Sequence, residues 1–138
     1  MTNRILTIFI LGLTLITLQS CNTLPQNLTT HIYIASDSTA TDYSTEPDYK
    51  TKRYPQMGWG QVFQPLFTAE SLPRLKNLHV AKTVKVEPKA KGGRSTRSFF
   101  EEGRWREIYD ALQPGDLVLI QFGHNDQSKD KVERYTPI

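Results

Sequence analysis

Apolar and polar positions divide the chain into a leader, a tether and an alternation of strand-like and helix-like segments. Arg4 is followed by an unbroken run of apolar residues and threonines from Ile5 to Leu18, closed by Gln19, Ser20 and Cys21. Asn22 to Thr30 is polar, holds Pro25 and shows no period, which predicts a tether. His31-Ile32-Tyr33-Ile34-Ala35 is short, apolar and rich in strand formers, and it stops at Ser36-Asp37-Ser38-Thr39; this predicts a buried strand running into a turn. Ala40 to Met57 is polar and holds three tyrosines, too long for an ordinary connection, and is a candidate substrate-facing loop. Gly58-Trp59-Gly60 precedes Val62, Phe63, Leu66 and Phe67 at helical spacing, which predicts a helix bent or shortened by Pro65.

A second strand lies within Leu78 to Val86, with Thr83 to Val86 favoured, followed by the glycine turn Gly92-Gly93-Arg94-Ser95. Ser98 to Leu112 predicts one helix, with Phe99, Trp105, Ile108, Tyr109 and Leu112 on one side and Pro114-Gly115 ending it. Asp116 to Phe122 is a near-continuous apolar strand, a type usually covered on both faces. Strands and helices alternate, so the expected fold class is α/β with a parallel sheet. Three strands leave one edge bare and much of Leu117 to Phe122 uncovered, and the chain ends at Tyr135-Thr136-Pro137-Ile138 without a capping element; the expectation is a domain truncated at its C-terminus.

Length changes this picture little: 138 residues less a leader leave one small domain, expected at 31–138. Residues 1–20 read as a secretory signal. A retained membrane helix is the alternative, but about fourteen residues at roughly 1.5 Å each fall short of the roughly 30 Å hydrocarbon core. Leu18-Gln19-Ser20-Cys21 resembles the lipobox of bacterial lipoproteins. That resemblance implies lipidation at Cys21 as the mature N-terminus and an exported chain held at a membrane of the bacterial cell envelope. A cysteine within an ordinary leader remains the alternative. Cys21 is the only cysteine, so an intrachain disulfide is excluded. The net charge of +3 comes from Lys and Arg interleaved with Asp and Glu, which describes a solvated surface rather than a nucleic-acid face.

Reactive groups in an open parallel sheet gather at the carboxyl ends of the strands. Ser36-Asp37-Ser38-Thr39, Gly92-Gly93-Arg94-Ser95 and Gly123-His124-Asn125-Asp126 each follow one of the expected strands. Taken singly they are an ordinary cap, a turn and a turn. Taken together they supply what acyl transfer by serine requires: an exposed hydroxyl on Ser38, and donors for a developing oxyanion from the Ser38 and Gly93 N–H groups and the Asn125 carboxamide. No cluster of His, Cys and carboxylates has metal-ligand spacing, so no metal or other cofactor is expected. No Gly-x-Gly-x-x-Gly or Walker lysine is present, and nucleic-acid binding has no support.

These motifs resemble the first three sequence blocks of the SGNH or GDSL hydrolase superfamily. The resemblance implies Ser38 as nucleophile, with Ser38, Gly93 and Asn125 as the oxyanion hole. It also implies a three-layer α/β/α flavodoxin-like sheet, of which only the N-terminal strands and helices are expected here. Pro55-Gln56-Met57-Gly58-Trp59-Gly60, Gly92-Gly93-Arg94-Ser95-Thr96-Arg97-Ser98-Phe99 and Gln121-Phe122-Gly123-His124-Asn125-Asp126 are similar to the rhamnogalacturonan acetylesterase branch. That similarity implies an acetylated pectic or related polysaccharide as substrate.

The departures from the pattern matter as much. Ser36 replaces the usual glycine of the first block, and Pro88 stands where the branch often carries asparagine. The family's base is a histidine in an Asp-x-x-His block near the C-terminus, and none of His31, His79 and His124 fits it. The chain alone is therefore expected to be inactive or nearly so. His124 is a weak substitute base, with a supporting role in its loop as the alternative. Asp37 is expected to fix the turn at Ser38 and Asp126 to cap or brace its loop, while Arg94 and Arg97 either meet an acidic sugar or form helix-entry salt bridges. A lipase or thioesterase of the same superfamily, and a non-catalytic glycan-binding lipoprotein with a decayed site, remain as rival readings.

Overall fold

The computed structural model describes residues 29–78 and 82–137. The leader at 1–20, Cys21, most of the tether at 21–30 and His79 lie outside the described residues. Three strands, β1 (Thr29–Ser36), β2 (Thr83–Pro88) and β3 (Leu117–Gln121), form a parallel sheet in the order β2-β1-β3. The register runs Ile32 to Val86 on one side of β1, and Ile32 to Leu117 and Ser36 to Gln121 on the other. All three strands therefore end at one rim, and the segments that follow them meet there.

Alternation along β1 divides the core between the two faces of the sheet. Tyr33 and Ala35 pack with Phe99 and Ile108, joined by Trp105, Leu112, Val118 and Phe122. Ile34 faces the other way and packs with Ala40, Val86 and Ala90, joined by Trp59, Phe63 and Phe67. Helices α1 (Thr96–Glu101) and α2 (Arg104–Ala111) supply the first layer. The second is built from short 3-10 turns at Trp59–Val62 and Gln64–Leu66.

Two expected helices differ from the structure. The segment from Gly58 to Phe67 is not an α-helix: Pro65 cannot donate to a helical ladder, and the chain is broken into 3-10 turns on either side of Phe63. Trp59, Phe63 and Phe67 still stack edge to face in succession, with ring centroids 5.2 and 5.0 Å apart, so the aromatic positions reach the core while Val62 and Leu66 stay exposed. The single helix expected over Ser98 to Leu112 is two helices. Gly103 adopts φ +76, a left-handed conformation that ends α1 and starts α2, and the change of direction leaves Tyr109 exposed. β3 is also less covered than a near-continuous apolar strand suggests, because Ile120 is 62% exposed beside an open apolar groove lined by Phe99, Phe100, Trp105 and Phe122.

Candidate active site

The rim is built from the ends of β1 and β3. Ser36, fully buried, donates its hydroxyl to the Gln121 carbonyl at 2.6 Å, and its own carbonyl accepts from the Lys91 N–H at 3.0 Å. The residue standing where the related blocks usually carry glycine thus ties all three strand ends together. Asp37 follows, 2% exposed, with Oδ1 accepting from the Thr39 N–H at 2.9 Å and the Thr39 hydroxyl at 2.8 Å. Its carbonyl accepts from Ala40 N–H and the Thr41 hydroxyl. This is an Asx turn, and it carries Ser38 at its apex, half-buried and facing the rim. Among the described residues neither the Ser38 hydroxyl nor its N–H has a hydrogen-bond partner.

The segment that the sequence pattern predicts as a helix start also supports this turn. Gly58 donates to the Thr41 carbonyl at 3.0 Å and Trp59 to the Thr39 carbonyl at 2.9 Å, backbone against backbone. A methyl at Gly58 or Gly60 would overlap the main chain of Ala40 and Thr41, so both positions require the absence of a side chain. Trp59 also donates its indole N–H to Gln121 Oε1 at 2.7 Å. Two glycines flanking a tryptophan directly after a loop signal close backbone approach at least as well as a helix start. Tyr43, 2% exposed, is the second such residue: its hydroxyl lies 3.1 Å from where a side chain on Gly92 would begin. The long loop thus turns one of its tyrosines inward under the glycine turn and leaves Tyr54 at the surface.

Gly93 has φ +79, open to glycine and strained for other residues, and its N–H has no partner among the described residues. The neighbouring Gly92 comes within 3.8 Å of the Ser38 Cβ when its own missing Cβ is built. Asn125, 5% exposed, donates from Nδ2 to the Arg94 carbonyl at 3.0 Å and more weakly to Asp37 Oδ2 at 3.5 Å. Its Oδ1 accepts from Arg134 at 3.3 Å. The structure therefore brings Ser38, Gly93 and Asn125 to one rim, with one Asn125 proton firmly placed and the other only loosely held beside the residue that precedes Ser38.

Asp126 braces the third loop. It accepts from the Thr96 N–H at 3.0 Å, from the Thr96 hydroxyl and from the Gly123 N–H at 3.1 Å, while its carbonyl accepts from the Thr136 N–H. Burial acts to raise its carboxyl, but the hydrogen bonds from Thr96, Gly123 and Thr136 outweigh it and hold the group below the ordinary carboxylate range. Ser95 caps α1 through a reciprocal capping box with Ser98.

The two arginines weighed as sugar ligands are engaged in the scaffold. Arg94 donates to both carboxylate oxygens of Glu102 at 3.0 Å and to the Gly92 carbonyl at 2.8 Å. Those bonds, with Arg104 beside them, hold Glu102 below its ordinary value although partial burial opposes this. Arg97 donates to the Val132 carbonyl and lies near Glu101. His124 is exposed and has no hydrogen-bond partner among the described residues, so it does not brace its loop. His31 lies at the opposite end of β1, near Glu87 and Tyr33. No group of three His, Cys, Asp or Glu side chains that could hold a metal is found among the described residues.

No family model matches the chain. Curated proteins do. The chain is 39% identical over 106 residues to the probable rhamnogalacturonan acetylesterase YesY of Bacillus subtilis, covering 77% of this chain and 40% of that protein. It is 40% identical over 105 residues to the rhamnogalacturonan acetylesterase RhgT of the same organism, covering 76% and 37%. The rhamnogalacturonan acetylesterase of Emericella nidulans is 39% identical over 111 residues, covering 80% and 34%. The chain thus spans about two fifths of the length of the relatives it matches. With its parallel sheet and flanking helices, the chain is a relative of the rhamnogalacturonan acetylesterases of the SGNH hydrolase superfamily.

Proposed function

We propose that this chain carries the Ser38 nucleophile of an exported serine esterase that removes O-acetyl groups from a pectic or related polysaccharide. The observation that carries the reading is the convergence at one rim of the Ser38 hydroxyl and the Ser38 and Gly93 N–H groups, none with a partner among the described residues, and the buried Asn125 carboxamide. In the reaction, Ser38 Oγ attacks the acetyl carbonyl and passes its proton to a histidine base. The carbonyl oxygen becomes negative and takes hydrogen bonds from the Ser38 and Gly93 N–H groups and from Asn125. Collapse expels the sugar oxygen, which takes the proton from the histidine; water, deprotonated by the same base, then attacks the acyl-enzyme and releases acetate as Ser38 recovers its proton.

The described residues do not supply the base. Among the described residues His31 lies at the far end of the sheet and His124 is exposed and unpartnered, while His79 lies outside them, and no Asp-x-x-His occurs in the sequence. The chain by itself is therefore a poor catalyst, and turnover requires the form of the protein that carries an Asp-x-x-His. Lipidation at Cys21, which would hold the enzyme at a bacterial envelope membrane, belongs to the same proposal and rests on the lipobox-like Leu18-Gln19-Ser20-Cys21. Mass spectrometry of the chain recovered from bacterial membranes tests it: a diacylated Cys21 N-terminus is expected, and an intact or differently cleaved leader contradicts it.

Acetate release from acetylated pectic rhamnogalacturonan, compared with hydrolysis of long-chain p-nitrophenyl esters, tests the substrate class. Preference for the polysaccharide is expected. Preference for the long acyl chains favours the lipase or thioesterase reading, and absence of both activities in a protein that carries an Asp-x-x-His favours a glycan-binding protein with a decayed site.

A further inference from the structure

Among the described residues, the arginines and Lys91 around the rim divide into those engaged by the scaffold and Arg134, which turns toward the site. Lys91 is paired with Glu46 at 3.0 Å, which also holds Arg53. Arg94 is held by Glu102, and Arg97 by the Val132 carbonyl. Arg134 differs. Its carboxylate neighbour is Glu133, at a loose 3.8 Å and 70% exposed, while its guanidinium lies against bare Gly93 and donates to Asn125 Oδ1 at 3.3 Å. Built onto Gly93, a Cβ would stand 3.3 Å from Arg134 Nη2.

We propose that Arg134 is a positioning residue for Asn125: it holds the carboxamide in the one orientation that turns Nδ2, and not Oδ1, toward the Ser38 side of the rim. The donor chemistry fixes the assignment. The Arg94 carbonyl can only accept and a guanidinium can only donate, so the two bonds agree on a single flip of the amide. Without Arg134 the carboxamide keeps one strong bond, to Arg94, and its carbonyl oxygen is left with no described partner. A half-turn of the amide would then present that oxygen to a developing negative charge, replacing a stabilising contact with a repulsive one. The loop that carries Arg134 is itself anchored at the rim. Arg134 N–H donates to the Lys131 carbonyl, the Thr136 hydroxyl donates to the Arg134 carbonyl, Thr136 N–H reaches the Asp126 carbonyl, and Arg97 holds Val132. Asp126 and Arg97 thereby hold the segment that presents this guanidinium. The catalytic part of the inference rests on the proposed role of Asn125 as an oxyanion donor; the orientation of the amide does not.

Two readouts separate these layers. In the 15N-labelled full chain, the side-chain NH2 resonances of Asn125, assigned by their loss in Asn125→Asp, are expected to exchange with water on the order of ten-fold faster in Arg134→Met, with Arg134→Lys in between and the β1 and β3 amides unchanged. Unchanged Asn125 exchange overturns the inference; if Arg134→Met fails to fold, unchanged exchange in Arg134→Lys does so. In the protein form that turns over p-nitrophenyl acetate, Arg134→Met is expected to lower kcat roughly 10–100-fold with KM within about two-fold, and Arg134→Lys to recover part of it. An unchanged kcat overturns the catalytic part. If the wild-type protein shows no turnover, the esterase reading fails, and the amide exchange still decides whether Arg134 orients Asn125.

Discussion

Asp126 joins the third loop to the first turn of α1, and replacing it with asparagine isolates what its charge contributes. Asparagine keeps an oxygen that can accept from Thr96, but its NH2 then faces the Gly123 N–H, donor against donor. Hydrogen bonds to charged groups contribute about 1.5–3 kcal/mol, and discounting for the partial exposure of this site leaves an expected loss of about 1–2 kcal/mol at pH 7. The sign of the pH dependence follows from the carboxyl being held below its ordinary value. A carboxyl so depressed in the folded state adds stability in full above the unfolded pKa, about 3.9, and that stability disappears as pH falls through the folded value. Urea unfolding of the chain and of Asp126→Asn at pH 7, 5 and 3 reads this out. The two should differ by the full amount at pH 7 and 5, and the gap should shrink at pH 3, where the carboxyl of the unfolded chain is protonated. An equal gap at all three pH values refutes the argument from charge, and no gap at pH 7 refutes the bracing role altogether.

Ser36→Ala removes the buried hydroxyl bonded to the Gln121 carbonyl and is expected to cost about 1–3 kcal/mol in urea unfolding, because an acceptor is left without its partner where β1 and β3 end. Ile108→Ala, at the fully buried position of α2, should cost about 2–5 kcal/mol by the same measurement, with the cavity as the cause. Gly60→Ala should destabilise by about 1–3 kcal/mol and shift the Thr39 to Thr41 amide resonances, since its methyl overlaps the Ala40 carbonyl; an unshifted turn would contradict the close approach. Arg94→Gln is expected to raise the Glu102 carboxyl toward its ordinary value, as seen by carboxyl 13C titration, because the guanidinium that lowers it is gone.

Strand positions were legible because short apolar runs, stopped by polar turns, leave few alternatives: β1, β2 and β3 overlap the expected segments and Thr83 begins the second, although β1 already opens at Thr29, within the stretch expected to be a tether, because Thr29 and Thr30 pair with β2, and β2 runs on to Pro88. Helix spacing was less informative. The aromatic positions 59, 63 and 67 do reach the core, yet Pro65 and the backbone contacts of Gly58 and Gly60 impose 3-10 turns, a tertiary constraint that periodicity does not carry. Gly103 likewise reads as tolerable inside a helix until its left-handed φ divides α1 from α2. At the rim, residues following strand ends could be grouped from order alone. What order alone does not reveal is which arginine faces the site. Arg94 and Arg97 lie within the recognisable glycine block and are engaged by Glu102 and Val132, whereas Arg134 sits beyond it in a polar stretch and is brought to Asn125 only by the folding back of residues 131–136.

The central claim is that Ser38 is the nucleophile and that its base lies outside the residues described. Hydrolysis of p-nitrophenyl acetate by the chain alone, by the protein form bearing an Asp-x-x-His, and by Ser38→Ala in each tests it most directly. Turnover near background is expected in the chain, with or without Ser38. In the form bearing an Asp-x-x-His, Ser38→Ala is expected to lower turnover by about four to six orders of magnitude. Turnover in that form that survives Ser38→Ala would contradict the claim, and Ser38-dependent turnover by the chain alone would return the base to His124.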